Sequence, residues 1–334
     1  MTGASDLALF WAAVIAASIL VYVILDGFDL GVGILFGTTR DEEMRSRMMS
    51  SLAPFWDGNE TWLVVIGASL FAAFPAVYAV FLGAFYIPVL LMLIGLIFRG
   101  IAFEFRYRSG RMRPLWDAGF FVGSLLVAFA QGAAIGGLMR GIPVANNQYA
   151  GGSFSWLHPF PILTGIGLVL GYMLLGAGWL IVKNDGALRD WAYLRLARLA
   201  VATLAVLALC FLVSVTVDIS SGLALGRMRL ERWTLIFPLI CVGAIAGVAL
   251  SRRARIDILP FALAVTFFVA AYLTLGFMMW PFMIPYSLTI ADAAAPEASL
   301  QFFSYGGIVV LPVIVAYTIG VYWVFRGKID RLKT

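Results

Sequence analysis

Residues 7–36 read LALFWAAVIAASILVYVILDGFDLGVGILF, and this stretch decides the class of fold. It is apolar almost throughout, carries no Lys or Arg, and admits only two acids, Asp26 and Asp29. Crossing the hydrocarbon core of a bilayer takes about 20 mostly apolar residues in helical form. The run is continuous rather than alternating, so it predicts a membrane-spanning helix and not a barrel strand. It lacks a basic start and outruns a secretory leader, so it is read as a retained first span.

The rest of the chain has the same character. Of 334 residues, 62% are hydrophobic and 12% are charged, against about 45–50% and about 25% in soluble domains. That excludes a water-soluble enzyme, because one core of this size could not hide so much apolar side chain. Nine spans are predicted, at 7–36, 55–73, 76–99, 115–138, 159–182, 199–219, 233–250, 257–280 and 304–326. The positive-inside rule orients them. Of the 23 Lys and Arg, 19 follow odd-numbered spans, and four (Arg140, Arg227, Arg229 and Arg232) follow even-numbered ones. The N-terminus is therefore expected on the periplasmic side and the C-terminus in the cytoplasm. The expected fold class is an all-α membrane protein of nine transmembrane helices, a single integral-membrane domain over 1–334.

The longest connections, 139–158, 220–232 and 281–303, read as ordinary loops, with no soluble domain, repeat or low-complexity tract. Pro54, Pro114 and Pro260 stand in or just before first turns, where a missing N–H costs little. Pro88, Pro238 and Pro312 fall inside spans and are expected to kink them. Trp56, Trp116, Trp233, Trp280 and Trp323 lie near span ends, as interfacial anchors do.

A carboxylate at membrane depth is costly and points to function. DGFDLGVG puts Asp26 and Asp29 inside the first span, and WDGNETW puts Asp57 and Glu60 in the first turns of the second. Each pair is spaced i, i+3 and shares a helix face. Consecutive antiparallel helices can bring the two faces together near the inner surface. Arg99, at the inner end of the third span, is the natural counter-ion, with Glu104 just beyond it. The functional reading is a relay of acids open to the cytoplasm that carries protons inward. Two plainer readings stand beside it. Asp57 and Glu60 could simply favour a helix N-terminus, and Arg99 could be one more inner-face cation. Asp26 and Asp29 have no such excuse, lying mid-helix beside Gly27, Gly31 and Gly33, whose small size suggests a close helix approach.

Other candidates are weaker. Asp117, Asp218 and Asp257 sit at span ends, where solvation or the helix dipole accounts for them. Cys210 and Cys241 lie at similar depth on consecutive spans, but free cysteine is a common small buried hydrophobe. No P-loop, Rossmann fingerprint or haem-attachment motif is present. His158, in SWLHPF at the outer mouth of the fifth span, is the one histidine in the chain. A b-type electron-transfer haem ordinarily needs at least one His ligand, so no metal site and no catalytic residue are assigned to this chain. Its redox chemistry has to come from a partner.

Six stretches carry a family resemblance: DGFDLGVGIL at 26–35, APFWDGNETWLV at 53–64, LFAAFPAVYA at 70–79, FRGIAFEFR at 98–106, WPFMIPYS at 280–287 and LPVIVAYT at 311–318. With them the chain resembles subunit II of the cytochrome bd-type quinol oxidases, including the cyanide-insensitive branch. The resemblance implies two four-helix bundles plus one extra helix, here about 1–138, 159–280 and 304–326. It implies a haem-bearing subunit I as partner, holding two b-type haems and one d-type haem (or a third b-type), and a complex that oxidises quinol and reduces dioxygen to water. It places the complex in the bacterial inner membrane, with lipid around it and no nucleic acid. By position it makes Asp29 and Asp57, with Asp26 beside them, proton-pathway acids, and Trp62 a residue on an oxygen-entry path. Arg99 and Glu104 match a charged patch, and Glu60 stands where some members have Gln. A structural quinone and a small single-helix subunit occur in some members. A different class, a proton-coupled secondary transporter, would use the same acids, but it calls for broken helices and inverted repeats that the sequence does not display.

Overall fold

The computed structural model describes residues 3–221 and 235–329, with the backbone alone over 214–221. Among the described residues twelve α-helices run in chain order. They are α1 (Asp6–Phe36), α2 (Glu42–Ser50), α3 (Trp56–Ala73), α4 (Pro75–Ala84), α5 (Tyr86–Phe105), α6 (Arg113–Arg140), α7 (Pro159–Lys183), α8 (Gly186–Ser221), α9 (Ile236–Ala254), α10 (Ile258–Met279), α11 (Ile290–Ala293) and α12 (Glu297–Val324). Among the described residues, eight are long and apolar enough to cross a membrane, and nine if α3 and α4, bent by 120° at the break between them, count together as one span. The chain is thus a multi-pass, all-helical membrane protein. Arg227, Arg229, Arg232, Trp233, Arg331, Lys333 and the side chain of Asp218 lie outside the described residues.

The bend between α3 and α4 corrects the expected third span. Residues 76–84 do not begin it but form α4, and the third span is α5, running on to Phe105. The cause is local. Pro75 occupies the first turn of α4, and the residue before a proline is pushed out of helical backbone; Phe74 accordingly has φ −137° and ψ 63°. The apolar run does not register this break because both sides of it are equally apolar. Pro88 consequently sits in the first turn of α5, and Pro238 in that of α9, so neither kinks a span; Pro312 alone of the three lies in the middle of its helix. The sixth span also starts earlier than expected, at Gly186, which puts Arg189, Arg195 and Arg198 on α8 itself.

Both ends of the bundle are covered. At the outer end, α4 packs with two antiparallel strand pairs that occupy what read as loops. These are β1 (Val144–Ala145) with β2 (Gln148–Tyr149), and β3 (Phe282–Ile284) with β4 (Leu288–Thr289). Asn146 and Asn147, at φ 51° and 57°, supply the left-handed pair that a tight hairpin turn needs. Phe74, Val80, Phe85, Ile284 and Leu288 make an apolar cluster there. At the inner end the chain beyond α12 is strapped to α7: Lys183 Nζ donates to the carbonyls of Phe325 and Gly327, and Ile329 N–H donates to Lys183 O.

Helix α1 is the centre of the arrangement, packing on α3, α6, α7 and α10. Its last eleven residues, Asp26 to Phe36, are all buried. Gly31 makes the α1–α7 approach possible, since a Cβ there would lie 1.7 Å from Tyr172 O; across from it, a Cβ on Gly176 would meet the backbone of Gly31 and Val32. This is the close approach that the small residues of DGFDLGVG suggest.

Candidate functional site

Three helices bring the charged residues together under α1. Asp26 and Asp29 come from α1, Glu60 from α3 and Arg99 from α5. Arg99 Nη1 donates to Asp26 Oδ1 at 2.9 Å and to Glu60 Oε1 at 3.1 Å, and Nη2 lies 3.6 Å from Asp29 Oδ2. Arg99, Asp26 and Asp29 have no exposed side-chain surface, whereas Glu60 is 25% exposed. Asp29 stands seven residues from the inner end of α1 and Arg99 six from that of α5, about 9–11 Å in from the inner ends. One guanidinium here faces three carboxylates. With every carboxyl ionised the group would carry two uncompensated negative charges, each costing several kcal/mol at such burial. Asp26 Oδ2, Asp29 Oδ1 and Arg99 Nε have no hydrogen-bond partner. A site with surplus carboxylates and open valences can take up protons.

Two sequence candidates are not part of this group. Asp57 is exposed, and its carboxylate has no hydrogen-bond or ion-pair partner among the described residues. Successive residues advance about 100° around a helix, and the buried face of α3 runs through Asn59, Trp62, Ile66 and Ser69, so Asp57 lies on the far side from Asn59. Glu104 is also exposed. The buried face of α5 carries Arg99 and Ala102 and then Arg106, and Glu104 is turned away from it. Trp62 is buried with Tyr22 and Ile66, and its Nε1 donates to Thr318 Oγ1 of α12 at 3.3 Å.

A shell of neutral polar groups, not singled out from the sequence, surrounds the acids. Asn59 Nδ2 donates to Asp29 Oδ2 at 2.7 Å and to Leu25 O at 3.2 Å, while its Oδ1 accepts from the Tyr322 hydroxyl of α12 at 2.9 Å. On the other flank, the Tyr172 hydroxyl donates to Gln131 Oε1 and Gln131 Nε2 donates to the Tyr22 oxygen, both at 2.8 Å. Asn59 had a signal, since it stands inside WDGNETW at the spacing of the buried face. Gln131, Tyr172 and Tyr322 had none beyond being polar within a span.

A second set of ion pairs sits on the inner face. Asp117 is bound by Arg106 and by Arg45 (3.0 Å), and Glu42 by Arg106 (2.6 Å) and Arg113. Asp257 takes Arg189 (2.7 Å) and Lys328 (2.6 Å). Asp117 and Asp257 are therefore clamps between elements, correcting the expectation of solvated span ends. Burial pushes the carboxyls of Glu42 and Asp257 up, but hydrogen bonds from Arg106 to the first, and from Lys328 and Arg189 to the second, outweigh it. Both groups sit below the usual carboxylate range.

The chain offers a haem one histidine. His158 caps the outer start of α7, and burial together with Arg140 holds its imidazole below the ordinary value. No described group of three His, Cys, Asp or Glu is arranged to hold a metal ion. Cys210 and Cys241 are both free thiols, the latter facing Phe267 O at 3.7 Å.

Comparison with known proteins gives one result throughout. The family model for cytochrome bd terminal oxidase subunit II matches residues 7–325. Cytochrome bd-I ubiquinol oxidase subunit 2 of Escherichia coli (strain K12) is 30% identical, covering 96% of this chain and 94% of that protein. Cytochrome bd ubiquinol oxidase subunit 2 of Bacillus subtilis (strain 168) is 28% identical, covering 96% of each. Among solved structures, a chain of the bd oxidase from Geobacillus thermodenitrificans superposes with a TM-score of 0.76 over 96% of this chain and 99% of that one. Its identity is 16%, so it bears on the fold alone.

Proposed function

Since the chain belongs to the cytochrome bd terminal oxidase subunit II family, we propose that it serves its complex as the haem-free subunit that supplies protons from the cytoplasmic side. The complex is a quinol:oxygen oxidoreductase of the bacterial cytoplasmic membrane. Each quinol oxidised gives two electrons and two protons, and each dioxygen reduced to two waters consumes four of each. Haem iron, two b-type and one d-type or a third b-type, belongs in subunit I and would supply the electron transfer and the dioxygen chemistry. What this chain's residues do is hold protons near the inner surface.

The observation that carries the reading is Arg99 among three carboxylates, with Glu60 the member that reaches the surface. A proton from cytoplasmic water is taken up on Glu60, while Arg99, which keeps its own protons, holds Asp26 and Glu60 on one nitrogen and lies 3.6 Å from Asp29 with the other, so that the three carboxyls share one counter-charge. Asp57, one turn away on α3, and Glu104 line the mouth rather than the store. Trp62 is assigned to the route by which dioxygen reaches the partner. The exposed apolar face of α12, with Phe302, Ile308 and Val313, offers subunit I a docking surface. Membership of this family leaves no support for the transporter alternative.

The test is proton uptake by the purified two-subunit complex on mixing the reduced enzyme with dioxygen. Asp29→Asn and Glu60→Gln are expected to slow uptake while haem absorbance stays intact, and Asp57→Asn to slow it less. Full uptake at the parent rate in Asp29→Asn and Glu60→Gln would take these acids out of the mechanism.

A further inference from the structure

The three aspartates around the inner end of α8 are engaged. Asp185 holds Lys328 at 2.6 Å, Asp190 holds Arg255 at 2.6 Å, and Asp257 holds both Arg189 and Lys328. Helix α8 carries two further arginines, Arg195 and Arg198, and neither has an acid within ion-pair distance among the described residues. They stand three residues apart, so their guanidiniums share a helix face, and like charges on neighbouring turns repel. Arg195 is nonetheless set in place. Its guanidinium carbon lies 3.5 Å from the centroid of the Trp191 ring, and its Nη1 donates to Trp191 O at 3.3 Å. Stacking on an indole fixes the plane of the fork while leaving its other N–H groups to bond elsewhere.

The depth of the pair matters as much as its charge. From Arg198 to the end of α8 at Ser221 is 23 residues, about 35 Å of helix, close to the thickness of a hydrocarbon core of about 30 Å. The two arginines therefore fall at the inner edge of that core, where lipid phosphates lie. At about 100° per residue, Trp191, Arg195, Arg198, Val201, Leu209 and Leu212 share a sector of about 120° on the helix, and the buried residues of α8 lie outside it. Val201, Leu209 and Leu212 are exposed. A cationic foot with an apolar track running outward from it has the pattern of a phospholipid, phosphate at one end and acyl chain along the rest.

We propose that Arg195 and Arg198 form a binding site for an anionic phospholipid of the inner leaflet. Its phosphate accepts hydrogen bonds from both guanidiniums, whose planar forks match phosphate oxygens, and an acyl chain lies along Val201, Leu209 and Leu212. A zwitterionic lipid also offers a phosphate, but its headgroup cation would stand beside two arginines that already lack counter-ions. A headgroup of net negative charge relieves their repulsion. The site is separate from the face offered to subunit I, since α8 packs on α7 and α9 while α12 packs on α3 and α1. It does not depend on the proton-supply reading.

The test is native mass spectrometry of the intact, detergent-purified oxidase complex, titrated with phosphatidylglycerol and separately with phosphatidylcholine. The parent is expected to hold phosphatidylglycerol in preference. Arg195→Gln combined with Arg198→Gln should remove one such lipid, lowering the affinity of that site roughly 25-fold, about fivefold per arginine. Arg252→Gln combined with Arg253→Gln takes the same charge from the inner end of α9 and should leave that lipid in place. Equal losses in the two double variants would reduce the effect to general inner-face charge and overturn the site, as would a parent that binds the two lipids alike. Should the α8 double variant fail to assemble, Arg198→Gln alone, on an exposed side chain, decides: its fivefold loss supports the site, and parent-like binding overturns it.

Discussion

Arg99→Leu is the sharpest perturbation available, because the cluster has one cation and three anions. Breaking a buried ion pair by removing one partner costs about 3–5 kcal/mol, most of it from the charge left behind. Removing Arg99 leaves three carboxylates, two of them with no exposed surface. Removing Asp26 instead leaves Arg99 with Asp29 and Glu60 and lowers the excess of negative charge. That change loses a charge-assisted hydrogen bond of about 1.5–3 kcal/mol and gains back repulsion relieved. The expected order is therefore Arg99→Leu well above Asp26→Leu. For a large domain, 1 kcal/mol corresponds to about 2 °C in Tm, so the arginine variant should melt roughly 6–10 °C below the parent complex and the aspartate variant within roughly 4 °C of it. Because neutral carboxyls need no counter-ion, the arginine deficit should shrink between pH 8 and pH 5. The assay is thermal unfolding of the solubilised complex, followed by tryptophan fluorescence and haem absorbance at both pH values. An Arg99→Leu complex as stable as Asp26→Leu, or a deficit that does not change with pH, would refute the reasoning.

Other outcomes follow from the same geometry. Gly31→Ala pushes a methyl into Tyr172 O and should cost more than the about 1–3 kcal/mol of ordinary overpacking, read as a lower Tm or lost assembly; the parent's Tm would contradict the packing. Glu42 and Asp257 have folded-state values below their unfolded ones, so the stability they contribute is present above about pH 4 and is lost as pH falls further. Acid unfolding should therefore start at higher pH once Arg106→Met or Lys328→Met removes a clamp's cation, and an unchanged acid limb would show that the clamps contribute nothing. His158→Ala should leave the haem absorbance spectrum of the complex as it is, and a shifted haem band would make this residue a ligand after all.

The spans were legible because lipid imposes a simple demand: a continuous apolar run of sufficient length. Where the prediction slipped, two segments were equally apolar and a turn fell between them. Phe74 and Pro75 are such a case, and the strand pairs at 144–149 and 282–289 escaped because they are too short for any periodicity. Among the site residues, Asp26, Asp29, Glu60 and Arg99 were legible because a charge at membrane depth has no cheap explanation. Asp57 and Glu104 read the same way in one dimension, yet the helix rotates them out of the group. Separating them required knowing which face of α3 and α5 is buried. The tyrosines and amides were invisible because a neutral polar side chain inside a span is common, and its meaning depends on what it faces.

The position of the acids has an energetic meaning. Moving one charge across 100 mV costs about 2.3 kcal/mol, so protons consumed in oxygen reduction conserve energy when they are drawn from the cytoplasm. A group that stores them must be deep enough to feel the membrane's low dielectric and close enough to the inner surface to refill. Under the proposed function Asp29 and Arg99, about 9–11 Å from the helix ends, would meet both conditions, and Glu60, the partly exposed member, would be their connection to water. The strap after α12 keeps that geometry: Lys183 pins Phe325 and Gly327, which fixes the end of the helix that carries Tyr322. Loosening the strap should therefore disturb the acids through Asn59, though no residue of the strap touches them.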